Sequence, residues 1–399
     1  MLFEIHILQN HAPSNLNRDD TGSPKECVFG GYTRARISSQ CLKRTIRRSD
    51  AFQQALGADG LATRTRQLPE EVRRAFAGDA ALAEEAARKA SGFGTKEGKE
   101  QDAKGGKYLT AQSMFLAQAD IAAVVETLRA AADGKPPAQF ANIPAKDLQA
   151  QAQAKGFRPV TVDVALFGRM TTSEAFRDVE AACQVAHALS THKVDHEFDY
   201  FTAVDDLQGA DEAEQEEDSG ADMIGDVEFN SACYYKYFSI DAAGLVDNLT
   251  GRRMSRRDIP NEDSAAARSL AGRALAALLR AAVTTTPTGK QNSFAAHQLP
   301  SLVLVEARPY PTPVSYANAF VEPARQGKGE SLVGASLLQF GRHVTALTQG
   351  FNLEATARLL LAPEDPQFAI PGVERVPDLN TLCARLQDLA QSSPEVTHA

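Results

Sequence analysis

Leu2-Phe3-Glu4-Ile5-His6-Ile7-Leu8 begins the chain, with apolar side chains on both parities of an extended segment. A strand that hides both faces belongs inside a sheet rather than at its edge. Downstream, Pro13-Ser14-Asn15-Leu16-Asn17-Arg18-Asp19-Asp20-Thr21-Gly22-Ser23-Pro24 is dense in turn formers and too long for a tight hairpin. Loops of that length generally carry a function or are mobile. Beyond Phe29-Gly30-Gly31, a short alternating piece from Tyr32 to Ile37 leads to Ser38-Ser39-Gln40. Ser38 or Ser39 can N-cap a helix that runs to about Arg48.

On that helix Cys41, Leu42, Thr45 and Ile46 share one arc, while Lys43, Arg44, Arg47 and Arg48 occupy the opposite one. The basic arc is either the solvated face of an amphipathic helix or a phosphate-binding face. No acid sits at i±4 to relieve the repulsion among the four cations, and an anion would do so.

Residues from about 51 to 158 are Ala-rich with helical spacing, broken by Gly/Lys stretches, and read as a helical insertion. The spacing then predicts a strand over Val160–Phe167, ending at Gly168-Arg169-Met170, and a helix from about Ser173 to Ser190. The acidic stretch Gly209–Gly225 reads as an exposed flexible loop. A strand rich in β-formers follows at Val227–Ile240, then a helix at about Glu262–Val283 and a strand at Ser301–Glu306. After Gly334, helices alternate with Pro-marked turns. This order predicts an α+β fold whose sheet carries helices on one side.

The net charge of −9 hides an asymmetry: residues 1–48 hold eight Lys/Arg against four acids, whereas residues 193–228 hold Lys193 against fourteen acids. Local rather than total charge decides whether a polyanion binds, so the amino-terminal region suits one and the acidic segment does not. Five widely spaced cysteines, with no C-x-x-C pair, predict reduced thiols and a cytoplasmic chain. Met1 to Ile5 lacks a signal-peptide pattern, and the Ala/Leu-rich stretch Ser264–Val283 is interrupted by Arg268, Arg273 and Arg280, which argues against a membrane span.

Candidate chemistry is sparse. His187, His192 and His196, with Asp195 and Glu197, invite a metal-dependent nuclease, but an H-E-x-x-H frame fails at Tyr200. Thr288-Gly289-Lys290-Gln291 resembles the end of a P-loop, yet Gln291 replaces the magnesium-binding hydroxyl and Thr284 the leading glycine. Nothing assembles into an active site, so the expectation is a non-catalytic protein with no metal and no cofactor. The His187/His192/His196 nuclease is its rival. Tyr234-Tyr235-Lys236-Tyr237-Phe238 is either a base-stacking platform or core packing. Tyr200-Phe201-Thr202, just before the acidic loop, is either a wedge for bases or an anchor on the core.

Several motifs together carry a resemblance. They are Pro13 to Asp20, Lys25, Phe29-Gly30-Gly31, Arg36-Ile37-Ser38-Ser39-Gln40-Cys41-Leu42-Lys43-Arg44, Asp163 to Ser173, Ala186-His187-Ala188, Thr191-His192-Lys193-Val194-Asp195, Asp199 to Leu207, Glu228-Phe229-Asn230-Ser231, Gly289-Lys290-Gln291 and Tyr316 to Phe320. In number and order they resemble the CasC-type backbone subunits of type I-E Cascade, the CRISPR RNA-guided surveillance complex. The resemblance implies an RNA-recognition-like (ferredoxin-like) palm over 1–58, 159–192 and 226–345, with helical fingers at 59–158. An acidic thumb loop at 193–225 and a carboxyl-terminal helical extension at 346–399 complete it.

It further implies a cytoplasmic, non-catalytic subunit repeated along a CRISPR RNA in antiviral defence. Arg18, Lys25, Arg34, Lys43, Arg44 and Arg47 would hold guide phosphates, with Ser38 and Gln40 as neutral donors. Met170 would wedge against bases, with Tyr200, Phe201 and Thr202 acting from the thumb. Lys135, Lys146 and Lys155 are guide-contact candidates in the fingers, and the acidic run Asp211–Asp218 would meet a basic surface of another subunit. The implied partners are CRISPR RNA, the target DNA strand, neighbouring copies, other Cascade subunits and a recruited helicase-nuclease, with no membrane.

Overall fold

The first strand, β1 (Leu2–Ser14), has neighbours on both sides in the computed structural model, which describes residues 1–57, 60–155, 159–203, 223–251 and 261–392. Two short strands, β2 (Glu26–Phe29) and β3 (Tyr32–Ile37), form a hairpin. Its Gly30-Gly31 turn has positive φ at both residues, the geometry of a two-residue hairpin. A side chain at Gly30 would also strike the Val321 carbonyl oxygen at 2.1 Å. A small ribbon, β4 (Thr63–Thr65) with β5 (Met114–Leu116), lies in the insertion. The remaining strands are β6 (Cys183–Val185), β7 (Ala188–Ser190), β8 (Glu197–Ala203), β9 (Met223–Asp241), β10 (Leu302–Arg308), β11 (Ala357–Leu361) and β12 (Val373–Arg375).

They build a sheet in the order β12-β11-β10-β1-β9-β7-β3-β2, with β6 and β8 also paired to β9. At its centre β10, β1, β9 and β7 run antiparallel to one another. In chain order that is fourth, first, third, second, with helices after the first and third, which is the ferredoxin-like arrangement of RNA-recognition domains. A register shift between His11 and Ser14 ends the regular β1–β9 ladder and turns β1 into the following loop.

Phe3, Ile5 and Ile7 pack with Leu42, Ile46 and Phe52 and with Leu275 and Leu278 of the long helix Asn261–Thr284. The opposite face is covered as well. Leu8, Tyr235, Tyr237, Leu302 and Leu304 lie beneath Tyr316, Phe320 and Phe340. The expected single helical layer is therefore doubled, and Tyr234 to Phe238 is core rather than a stacking platform. Lys236 is buried too, donating to Gln9, and burial draws its ammonium down to about 8.

Three further expectations change. Val160–Phe167 is not a strand: Val162–Phe167 is a short helix, since an apolar run buried all round has no period to separate the two states. Ser173–Ser190 is not a helix. It consists of turns and the short strands β6 and β7, whose alternating burial completes the edge of β9. The carboxyl-terminal region is not purely helical, because β11 and β12 extend the sheet before the helix Leu379–Gln391 packs on Asn261–Thr284.

The insertion has its own core of Leu68, Val72, Phe93, Val124, Leu128 and Phe140. It is mostly helical, as expected, with Leu68–Ala75, Ala80–Ser91, Gln118–Ala132 and Ala145–Ala154 as its main helices. No described helix is long and apolar enough to cross a membrane.

One polar cluster lies inside the sheet. Glu306 accepts from Arg358 at 2.8 Å, Arg308 at 2.9 Å and the Tyr316 hydroxyl at 2.7 Å. Glu4 pairs with Arg308 and accepts from Tyr237 and from the Val314 amide. Burial alone would push the Glu306 carboxyl up, but His6, Arg308 and Arg358 outweigh it and hold the group well below the carboxylate range. A depressed folded value means stabilisation that is complete above the unfolded pKa of about 4.3 and is lost as pH falls below it. Glu306→Gln leaves two buried guanidinium groups short of counter-charge, for an expected loss of about 3–5 kcal/mol in urea unfolding. Acid titration of stability should also be shallower in that variant than in the wild type, and equal slopes would remove Glu306 from the account.

Candidate nucleic-acid interface

The helix predicted from Ser38 is present as Ser39–Arg47, and Ser38 is its N-cap, accepting from the Cys41 amide at 3.3 Å. The Ser38 amide donates to Asn17 Oδ1 at 2.8 Å, and the Lys25 amide donates to the Asn17 carbonyl at 2.8 Å. One asparagine thus ties the turn-rich loop to the helix start. Asn15 donates at 2.9 Å to both Gly22 and Glu228 carbonyls. Asp19, exposed, folds back on its own loop to accept from the amides of Thr21 and Ser23, and the Thr21 contacts hold its carboxyl below its ordinary value. Gly289 lies against this loop so closely that a Cβ would meet the Asn15 carbonyl oxygen at 2.4 Å. That close approach, not a phosphate cradle, is the structural reason for a glycine there.

Arg18, Gln40 and Arg44 are exposed, and Lys25 and Lys43 are half-buried. None of these four cations forms an ion pair among the described residues. Lys25 acts electrostatically on both Cys41 and His187, and Lys43 acts on Cys183. Loop and helix start therefore lie beside the β6–β7 region. Burial holds the Cys41 thiol above its ordinary value, which suits a packed side chain and not a nucleophile.

Two cations assigned to phosphates point elsewhere. Arg34 is buried, and its guanidinium donates to the carbonyls of Ser190 at 3.2 Å, Phe320 at 2.7 Å and Val321 at 3.1 Å. Arg47 donates to Asp163 Oδ2 at 2.8 and 2.6 Å and to the Ala62 carbonyl at 2.8 Å, and lies 4.4 Å over the Phe115 ring. Both are internal clamps: Arg34 commits its donors to backbone carbonyls and Arg47 its charge to Asp163. Ser38 Oγ is likewise committed to its cap. In the insertion Lys135 donates to the Ala131 carbonyl and Lys155 pairs with Glu126, while Lys146 is exposed.

Met170 is 93% exposed, on a rigid mount. Gly168 has φ +79°, and a Cβ there would meet the Val179 carbonyl oxygen at 2.9 Å, so the turn requires glycine. Arg169 then donates inward to Asp120 at 2.7 Å and to the Phe115 carbonyl at 3.1 Å, leaving its neighbour outward. An open cleft of about 590 Å³ adjoins the next residues, lined by Thr95, Lys96, Thr171, Thr172, Phe176 and Asp178.

The stem of the predicted thumb loop is a ribbon in which β8 pairs with the start of β9 from Glu197↔Phe229 to Ala203↔Met223. The acidic run Asp211–Asp218 lies outside the described residues. Strand alternation separates Tyr200 from Phe201. Tyr200, 75% exposed, shares a face with Thr202 and with Phe198, which is 51% exposed; Phe201 covers Gly225 on the other face. Phe198 is the residue the sequence reading missed, although the i, i+2, i+4 spacing Phe198-Tyr200-Thr202 was the available signal.

The three histidines of the nuclease reading are held by separate partners. His187 meets Arg36, His192 meets the Lys193 carbonyl and the Cys233 amide, and His196 lies between Glu26 and Glu228. They share no ligand point. Among the described residues, Glu4, His6 and Glu306 are near enough to one another to hold a metal ion. Their oxygens are engaged by Arg308, Arg358 and two tyrosines, so a cation there would face two buried positive charges.

A ferredoxin-like sheet with a separately cored helical insertion and a projecting ribbon defines the class of fold. The chain belongs to the CT1975-like protein family, whose family model matches residues 3–385. It is similar to a chain of "CRISPR RNA-guided surveillance complex, pre-nicking", with 29% identity and a TM-score of 0.77 over 98% of this chain and 100% of that one. A chain of a "CRISPR RNA-guided surveillance complex" shares the fold, with 24% identity and a TM-score of 0.65 over 96% of this chain and 100% of that one. No curated protein matches it. The resemblance carried by the motifs is borne out.

If Arg47 is a clamp, Arg47→Ala should destabilise the chain by about 3–5 kcal/mol in urea unfolding, the cost of stranding the buried Asp163 carboxylate. Arg44→Ala, an exposed change, should stay within about 0.5 kcal/mol. Equal effects would show that the Arg47–Asp163 pair is not structural.

Proposed function

We propose that this chain is the repeated, non-catalytic backbone subunit of a type I-E CRISPR surveillance complex, and that it binds the guide RNA. The observation that carries the reading is the group of cations in the loop and first helix that have no counter-charge among the described residues. Arg18, Lys25, Lys43 and Arg44 would each neutralise a phosphate, and the Gln40 side chain would add a neutral donor. Such contacts position a strand without reading its sequence.

Met170 supplies a soft apolar tip against a base. The Phe198-Tyr200-Thr202 face of a neighbouring copy's ribbon would press from the other side, kinking the strand and displacing one base at regular intervals. The bases between remain free to pair with a target DNA strand, so specificity belongs to the guide; a similar division of labour holds in single-protein effectors. In this reading the palm is 1–58, 159–192 and 226–345, the fingers 59–158, the thumb 193–225 and the carboxyl-terminal extension 346–399. Other subunits and a recruited helicase-nuclease would complete a cytoplasmic defence machine.

Each phosphate contact to a single strand adds about 0.7 to the slope of log affinity against log salt. Lys43→Gln/Arg44→Gln should therefore weaken RNA binding and flatten that slope by about 1.4, measured by fluorescence anisotropy across a salt titration. An unchanged slope in a folded double variant sinks the phosphate-grip reading.

A further inference from the structure

One polar pair on the same surface is not used by the cations just described. His187 lies between β6 and β7, one residue beyond the Ile37↔Ala188 pairing and so alongside Ser38 at the helix start. Its Nδ1 accepts from Arg36 Nη1 at 3.1 Å. Arg36 is itself fixed, with Nε donating to the Glu26 carbonyl at 3.2 Å and its amide to the Lys25 carbonyl at 2.8 Å. An imidazole that accepts at Nδ1 from an arginine carries its proton on Nε2. The exposed ring therefore presents an N–H beside a guanidinium and the Lys25 ammonium. Neither Arg36 nor His187 pairs with a carboxylate among the described residues.

We propose that Arg36 and His187, together with Lys25, form a further phosphate-binding notch, in which the imidazole takes up a solvent proton as the phosphate docks. The inference rests on the guide-binding reading and adds a site and a pH dependence to it. Without an anion, a third positive charge beside Arg36 and Lys25 is unfavourable. Burial comes first, then Arg36 on β3 and Lys25 from the preceding loop, and together they hold the ring below its ordinary value. These two cations are the charged groups that act on it. A phosphate reverses the balance: Arg36 turns its N–H to the anion, Nδ1 takes the proton, and the pair becomes two donors. Anion affinity and proton affinity must then rise together.

The test uses the full chain and an unstructured single-stranded RNA oligonucleotide at constant salt. Wild-type affinity should rise as pH falls from about 8 to about 6, by up to about tenfold, the factor that accompanies a one-unit pKa change. His187→Gln should bind with no such pH dependence, and Arg36→Gln should flatten the salt slope by about 0.7. A merely structural contact between β3 and β7 would lower the melting midpoint in either variant while leaving the pH profile intact.

Retention of the wild-type pH dependence in His187→Gln overturns the inference. Calorimetry of the wild type in buffers of different ionisation enthalpy decides the matter without a variant: net proton uptake on RNA binding supports the notch, and none overturns it. The Lys43→Gln/Arg44→Gln variant separates the two ideas. If it loses salt slope while the His187 and Arg36 variants behave as wild type, the notch fails and the phosphate grip stands; if all three match wild type, both fail.

Discussion

β1 is hydrogen-bonded along both edges, to β10 from Leu2↔Arg308 to Leu8↔Leu302 and to β9 from Leu2↔Asp241 onward. With both ladders filled and both faces covered, it cannot shift by one residue without moving Phe3, Ile5 and Ile7 out of one core and Glu4 and His6 out of a charged network. That fixed register sets where β1 ends, and its end sets where the turn-rich loop begins. The loop in turn is held by Asn15, Asn17 and Gly289, and Asn17 ties it to the start of the Ser39–Arg47 helix. A surface made by a loop and one short helix is thus positioned by a central strand buried from Leu2 to Gln9.

The ribbon is braced in a similar way. His196 at its base has Glu26 of β2 at 2.7 Å from one ring nitrogen and Glu228 of β9 at the other. Burial works against protonation, but the two carboxylates outweigh it and hold the ring above its ordinary value. A raised value is stabilisation present at low pH and lost as pH rises through the folded pKa. The brace joins the edge strand of the sheet to the strand from which the ribbon projects, so Phe198 and Tyr200 extend from a fixed base.

Local pattern and capping chemistry made some elements legible in the sequence: β1 from its two apolar parities, the first helix from Ser38, β9 from its β-formers and the long helix from its period. The segment 160–190 was misread because its information is not local. Val162–Phe167 is buried by neighbours from every side, and β6 and β7 are short strands that exist only because β9 has an edge to fill. The cations divide on the same principle. Arg34 and Arg36 share a parity on β3, yet Arg34 is sealed by carbonyls of residues 320 and 321 while Arg36 is partly exposed. Arg47 is indistinguishable from Arg44 in composition, and only Asp163, distant in sequence, decides that it is a clamp.

That division bears directly on function. Arg34, Arg47, Arg169, Arg308 and Arg358 each meet oxygens supplied by distant segments, and moving any of them to a phosphate would break bonds already formed in a low-dielectric interior. Arg18, Lys25, Lys43 and Arg44 have no such commitment among the described residues, so an arriving phosphate costs them only hydration and counterions. An overall charge of −9 does not oppose this. The excess of acid lies in residues 193–228, and local rather than total charge governs association with a polyanion. The fold uses buried arginines to hold its shape, and a separate, smaller set of cations is left without an internal partner among the described residues.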